Sequence, residues 1–187
     1  MDTKIEQKEL NSSLVNRCKK GDNKAYKELY GLYAKAMFNI SLRIVNSTDD
    51  ANDVLQEAFI KAFQSIQKFD NQAAFGGWLK RVVVNQSIDV IRKKKENFIS
   101  VDQVGNLEED EVEFEEIVYD VESVRESMLE LADGYRIILT LYLFEDYSHK
   151  DIASMLNISE GTSKSQYNRA KKKIIQLSLQ KTFSHAK

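Results

Sequence analysis

Between residues 162 and 172 the chain is rich in polar and basic side chains, among them Thr162, Lys164, Ser165, Gln166, Asn168, Arg169 and Lys172. Arg and Lys address guanine edges and phosphates, and Gln and Asn address adenine, so this set suits a nucleic-acid ligand. What precedes it is equally informative. Ile152, Ala153 and Leu156 mark one side of a short helix, Ser148 stands where its N-cap should be, and Asn157-Ile158-Ser159 makes a tight connection. A helix, a turn and a donor-rich second helix predict a helix-turn-helix whose second helix enters the major groove. A solvated basic helix end would account for the lysines but not for the preceding helix and turn.

A second constellation lies between Phe75 and Lys95. Trp78, Arg81 and Asn85 are followed by Arg92, Lys93, Lys94 and Lys95. Aromatic and cationic groups on one helix suit single-stranded DNA, by stacking and by phosphate contact. On residue types alone, Trp78 reads equally well as a core residue and Asn85 as an ordinary surface residue. A third set lies on a strongly periodic helix, about Ala51 to Phe69. Leu55, Ala58, Phe59, Ala62, Ile66 and Phe69 form its apolar stripe. Asp53, Gln56, Glu57 and Gln64 face the other way, with Ile60 among them as either a harmless exposed aliphatic or part of a contact surface. Enzymatic chemistry has little support: there is no phosphate-cradling glycine loop, no nucleophile motif and no metal-ligand spacing.

The elements that must position these groups are helical. The 187 residues contain no proline and seven glycines, with 42% hydrophobic residues. That composition favours long helices over a turn-rich β architecture. From about Leu10 the pattern predicts an amphipathic stretch from Leu14 to Tyr33, broken near Gly21-Asp22. Tyr26, Leu29, Tyr30, Leu32 and Tyr33 mark its apolar side. A separate helix is expected from Ala36 to Val45, then the Ala51–Phe69 helix, a loop at Asp70-Asn71-Gln72, and a helix from Ala74 to Lys95. The C-terminal block begins with a helix carrying Val124, Met128, Leu129 and Leu131. Asp133 is a candidate cap, and the apolar stretch Tyr135–Phe144 is expected to form a buried helix.

Charge divides the chain into three. Residues 1–95 carry +6, residues 96–122 carry −11 with no basic side chain, and residues 123–187 carry +3, giving the net charge of −2. Basic blocks suit phosphate contact, and the acidic block is expected to be a flexible tether. Lone Cys18 cannot form an internal disulfide, and no apolar run reaches the ~20 residues of a membrane helix. A cytoplasmic protein without membrane insertion is the expectation.

Three segments together resemble the extracytoplasmic-function (ECF) sigma factors of the sigma-70 class. They are DVLQEAFIKAFQSIQKF (Asp53–Phe69), FGGWLKRVVVNQSIDVIRKKK (Phe75–Lys95) and DGYRIILTLYLFEDYSHKDIASMLNISEGTSKSQYNRAKKK (Asp133–Lys173), in the family's order and spacing. The resemblance implies an all-α protein of two small helical domains. Region 2, a helical bundle, would occupy residues 10–95, an acidic linker 96–122, and region 4, the helix-turn-helix, 123–181. It implies a transcription initiation factor that binds core RNA polymerase, directs it to promoters and promotes DNA opening. Asp53, Gln56, Glu57, Ile60 and Lys61 match the surface that meets the polymerase clamp. Trp78, Arg81, Asn85, Arg92, Lys93 and Lys94 match the minus-ten region, where the position of Asn85 lies at the pocket for a flipped base. Thr162, Lys164, Ser165, Gln166, Arg169 and Lys172 match the minus-thirty-five helix, and region 4 would also touch the polymerase flap. Two positions depart from the pattern: Ala132 stands where the family usually has proline, and Gln166 where many members have arginine. No cofactor or small-molecule substrate is implied. An anti-sigma factor is an expected partner, and the free protein is expected to be a monomer. The alternative reading is a dimeric helix-turn-helix regulator with an N-terminal helical bundle, which would bind a palindromic site.

Overall fold

The structure is a computed structural model describing residues 2–69, 75–94 and 121–185, with side chains described over 11–69, 75–94 and 121–181. It is all-α and divides into two compact units, residues 1–91 and 92–187. The expected loop at residues 70–72 lies outside the described residues. So does the tether, apart from its last two positions, Val121 and Glu122, which are helical.

In the N-terminal unit α1 (Asp2–Lys19) buries Leu14, Val15 and Cys18. Burial pushes the Cys18 thiol up to about 11, so this cysteine is an inert core residue. The chain reverses at Gly21, whose φ of 81° is one that glycine adopts without strain. Asp22 then caps α2 (Asn23–Val45) by accepting from the Lys24 and Ala25 amides, and Arg17 holds its carboxyl below the ordinary range. The break expected between Tyr33 and Ala36 does not exist. Ala34, Lys35 and Ala36 are good helix formers, and α2 runs through them to a left-handed cap at Asn46. Nor is its expected apolar side uniformly buried: Leu29 is in the core, but Tyr30 and Leu32 are exposed. Ser47 caps α3 (Thr48–Ser65), which ends in a 3-10 turn, Ile66–Lys68. Ala51, Val54, Leu55, Ala58, Phe59, Ala62 and Ile66 are buried as the periodicity predicts, while Phe69 lies just past the turn and is half-buried. α4 (Phe75–Lys94) completes the unit with Phe75, Leu79, Val83, Val84, Ile88 and Ile91 inward.

The C-terminal unit is built on its last helix. α5 (Val121–Glu130), α6 (Asp133–Leu139) and α7 (His149–Leu156) each pack against α8 (Glu160–His185). Leu131, Leu139 and Ala170 form the centre, with Met128, Tyr135, Tyr167, Ile174 and Leu177 against them. Where α5 meets α8 the buried side chains are small: the Ser178 hydroxyl donates to Ser127 Oγ at 3.3 Å. Leu129 of α5 is exposed. Asp133 is not the cap of α6; Ala132 holds that position without a side-chain bond, and Asp133 sits in the first turn, paired with Arg136. The expected buried helix over Tyr135–Phe144 requires a larger correction. Ile137 to Leu141 are buried, but the helix widens to π geometry over Thr140–Phe144 and leaves Tyr142, Leu143 and Phe144 exposed. Widening the turn rotates the residues that follow it, so an apolar run does not stay on one face.

Candidate nucleic-acid interface

The turn before α8 is tightly built. Ser148 Oγ accepts from the Asp151 amide at 3.1 Å and donates to the Asp151 carboxylate at 2.6 Å, closing the first turn of α7. α7 ends at Asn157, whose φ of 57° is left-handed, and the Ile158 amide returns to the Ala153 carbonyl at 3.0 Å. Ser159 starts α8: its Oγ accepts from the Thr162 amide at 2.9 Å and lies 2.8 Å from the Thr162 hydroxyl. The exit angle of α8 is therefore set by hydrogen bonds on both sides of the turn.

α8 presents two different stripes. Ser163, Gln166 and Ala170 are buried at i, i+3, i+7 spacing. Lys164, Ser165, Asn168 and Lys172 are exposed, with Thr162 and Arg169 half-buried. Gln166 is thus a correction: at 6% exposure it lies on the buried stripe rather than among the accessible donors. Thr162 is occupied in the cap, and Ser165 Oγ donates to the Thr162 carbonyl at 3.0 Å. Lys164 is held 2.7 Å from Glu160, whose carboxyl it keeps below the ordinary range. A DNA phosphate would have to displace that carboxylate.

At the start of α7, His149 Nδ1 lies 3.0 Å from the buried Ser163 hydroxyl of α8. Its ring stacks on Tyr142 at 4.4 Å and meets Tyr167 edge-on at 5.6 Å. Burial, with Lys164 adding and Glu160 opposing, lowers the His149 pKa from its ordinary value. The fold favours the neutral ring. That stability is present above the unfolded value, about 6.5, and is lost as pH falls through the lower folded value. We therefore expect the thermal midpoint of the C-terminal unit to fall on acidification below about pH 6.5. Circular dichroism melts should show a flatter pH profile for His149→Asn.

α4 brings Trp78, Arg81 and Asn85 onto one face at i, i+3, i+7 spacing, with Arg92 a further seven residues along. Arg81 and Asn85 are exposed; Arg92 is half-buried and Lys93 and Lys94 are exposed at the helix end. Trp78 is half-buried, its ring stacked on Phe69 at 4.8 Å and tilted against Phe75 at 5.6 Å. On α3, Asp53, Gln56, Glu57 and Lys61 are all exposed, and Ile60 stands 55% exposed among them. One residue that the sequence pattern does not single out joins these two helices: buried Gln86 of α4 donates to the Glu57 carboxylate and accepts from the Lys61 ammonium. No spacing rule could have found it, because its partners are 29 and 25 residues away. Among the described residues, no three His, Cys, Asp or Glu side chains gather to hold a metal, and no helix is long and apolar enough to cross a membrane.

Comparison with known proteins gives a consistent set of relatives. The profile described as Sigma-70 region 2 matches residues 29–97, and that of Sigma-70, region 4 matches residues 122–174. The chain is 31% identical over 169 residues to the ECF RNA polymerase sigma factor SigW of Bacillus subtilis, covering 84% of this chain and 90% of the relative. It is 34% identical over 149 residues to SigM of the same organism, with 79% and 91% covered. Against the ECF RNA polymerase sigma-E factor of Escherichia coli K12 it is 32% identical over 180 residues, with 86% and 90% covered. Two solved structures share the fold, each with a TM-score of 0.54. They are CnrH in complex with the cytosolic domain of CnrY (20% identity, 90% of this chain and 96% of that one) and the sigma factor RpoE in complex with the anti-sigma factor NepR from Bartonella quintana (21%, 82% and 96%).

Proposed function

The chain belongs to the ECF sigma factors of the sigma-70 family, and from that membership we propose which of its surfaces perform each step of initiation. As a sigma factor it binds core RNA polymerase, directs it to promoters and promotes DNA opening. Region 2 spans residues 10–95, the acidic linker 96–122 and region 4 residues 123–181. The outer face of α3 (Asp53, Gln56, Glu57, Ile60, Lys61) docks on the polymerase clamp. Trp78, Arg81 and Asn85 on α4 engage the minus-ten element, with Asn85 at the flipped base and Arg92, Lys93 and Lys94 on backbone phosphates. Thr162, Lys164, Ser165, Arg169 and Lys172 on α8 face the minus-thirty-five element, while Gln166 supports that helix from its buried stripe.

The observation that supports this division is that the chain presents two chemically different exposed faces. The α3 face pairs acidic and amide groups with an exposed isoleucine, which suits a protein partner. The α8 face offers hydroxyl, amide and cationic donors, which suits a base-pair edge and its phosphates. Two weak DNA contacts on one tethered chain give useful affinity once polymerase holds both. Capturing an unstacked base costs a few kcal/mol, which contacts at the base pocket offset. The protein acts in the cytoplasm by binding and performs no catalysis of its own. An anti-sigma factor is its proposed regulatory partner, and the free protein is a monomer.

A binding assay with purified core polymerase, followed by run-off transcription, tests the assignment. Asp53→Ala/Glu57→Ala is expected to weaken polymerase binding with the fold intact. Lys164→Ala/Arg169→Ala should spare polymerase binding and weaken promoter recognition, by about 1–3 kcal/mol for each side chain that reads a base edge. Wild-type polymerase affinity in the first variant would remove the α3 face from the assignment. Tight duplex binding by a dimer without polymerase would favour the regulator reading.

A further inference from the structure

Glu57 and Lys61 lie one turn apart on the exposed face of α3, with the acid nearer the N-terminus. That is the arrangement in which a Glu–Lys pair closes on itself most readily. Here an amide from another helix stands between them. Gln86 Nε2 donates to Glu57 Oε2, and Lys61 Nζ donates to Gln86 Oε1. The two charges fix the direction of the amide, since turning it over would set N–H against the ammonium and oxygen against the carboxylate. The carbons of Gln86 are buried on α4, leaving the residue only 6% exposed. Each bond uses one carboxylate oxygen or one ammonium proton, so both charged groups keep capacity for a partner. Gln86 is also next in sequence to Asn85, on the helix that carries Trp78 and Arg81.

We infer that Gln86 is a positioning residue for polymerase docking: its amide holds Glu57 and Lys61 separated and ordered on α3 and ties that docking face to α4. The inference rests on the assignment of the α3 face to the polymerase. Two long side chains ordered before contact lose less freedom on binding than two mobile ones. Without the amide they collapse onto each other and must be separated before a complementary acid and base on the partner can reach them. The partner surface that fits is one presenting a cation to Glu57 and an anion to Lys61.

Core polymerase affinity of the full-length chain, measured by competition, is the test. Four proteins are compared: wild type, Gln86→Leu, Glu57→Gln/Lys61→Gln, and the triple variant. Gln86→Leu keeps the bulk and removes the amide, and urea unfolding followed by Trp78 fluorescence verifies the N-terminal unit in each. Gln86→Leu is expected to weaken binding about tenfold in the wild-type background. In the Glu57→Gln/Lys61→Gln background it should cost nothing further, because no charged pair remains to be held. A general structural role would carry the same loss into both backgrounds, and that result overturns the inference. Wild-type affinity for Gln86→Leu, with weakened binding for Glu57→Gln/Lys61→Gln, overturns it while leaving the α3 assignment standing. Wild-type affinity for Glu57→Gln/Lys61→Gln and for Asp53→Ala/Glu57→Ala alike would overturn both.

Discussion

Phe75→Ala is expected to cost the N-terminal unit about 3–5 kcal/mol, the range for removing a fully buried aromatic ring. The ring is fully buried at the start of α4, with Tyr33 at 5.6 Å, Phe69 at 5.8 Å and Trp78 at 5.6 Å. Removing it takes away the ring on which Tyr33, Phe69 and Trp78 all pack. A destabilisation of this size is a large part of the stability of a unit of about 90 residues. Trp78 is the single tryptophan of the chain, so its fluorescence reports this unit alone, while far-UV circular dichroism reports both. In urea the fluorescence midpoint should fall by at least about 1 M. The circular dichroism transition of the C-terminal unit should stay in place. Promoter opening should fall with the first transition, since the face proposed for the minus-ten element rides on α4. A fluorescence midpoint equal to wild type would mean that Tyr33 and Phe69 close over the gap.

Asp133→Ala should do the converse. The Arg136 side chain is only 4% exposed, and its guanidinium is bonded by the Asp133 carboxylate and, through Nη1 at 2.8 Å, by the Leu131 carbonyl. Removing the carboxylate takes from this buried cation the charge it pairs with inside the first turn, a loss of about 3 kcal/mol. The aspartate also sits in the first turn of α6, where negative charge suits the helix dipole. The C-terminal unit should lose its circular dichroism transition at lower urea, with the Trp78 midpoint unchanged. Replacing both partners, as Asp133→Ala/Arg136→Met, should recover most of the stability, because an apolar pair of similar volume costs little in such a site. No recovery would show that Arg136 is needed for shape or for its carbonyl bond rather than for its charge. The pair also secures the first turn of α6 behind Ala132, which caps it without a side-chain hydrogen bond.

Local sequence by itself determined that the chain is helical, that α3 hides a single apolar stripe and that Ser148 caps α7. The α3 stripe from Ala51 to Ile66 is buried as its period requires, because a helix with one apolar side has one way to hide it. The caps at Ser47, Ser148 and Asn157 follow from short-range chemistry that needs no distant partner. The exposed basic and hydroxyl groups of α8 were legible for the same reason. What only the tertiary structure decided are matters of packing between distant residues. The continuity of α2 past Tyr33 is the exception, a local matter, since Ala34, Lys35 and Ala36 are helix formers and supply no breaker. Tyr142, Leu143 and Phe144 turn outward because the helix widens at Thr140, which an aperiodic apolar run does not reveal. Gln166 is polar by type and buried by position, since its place three residues after Ser163 and four before Ala170 outweighs its chemistry. Gln86 meets Glu57 and Lys61 across 29 and 25 residues of chain. A side chain's period is a property of its own helix, but its hydrogen-bond partner is a property of whichever helix packs against it.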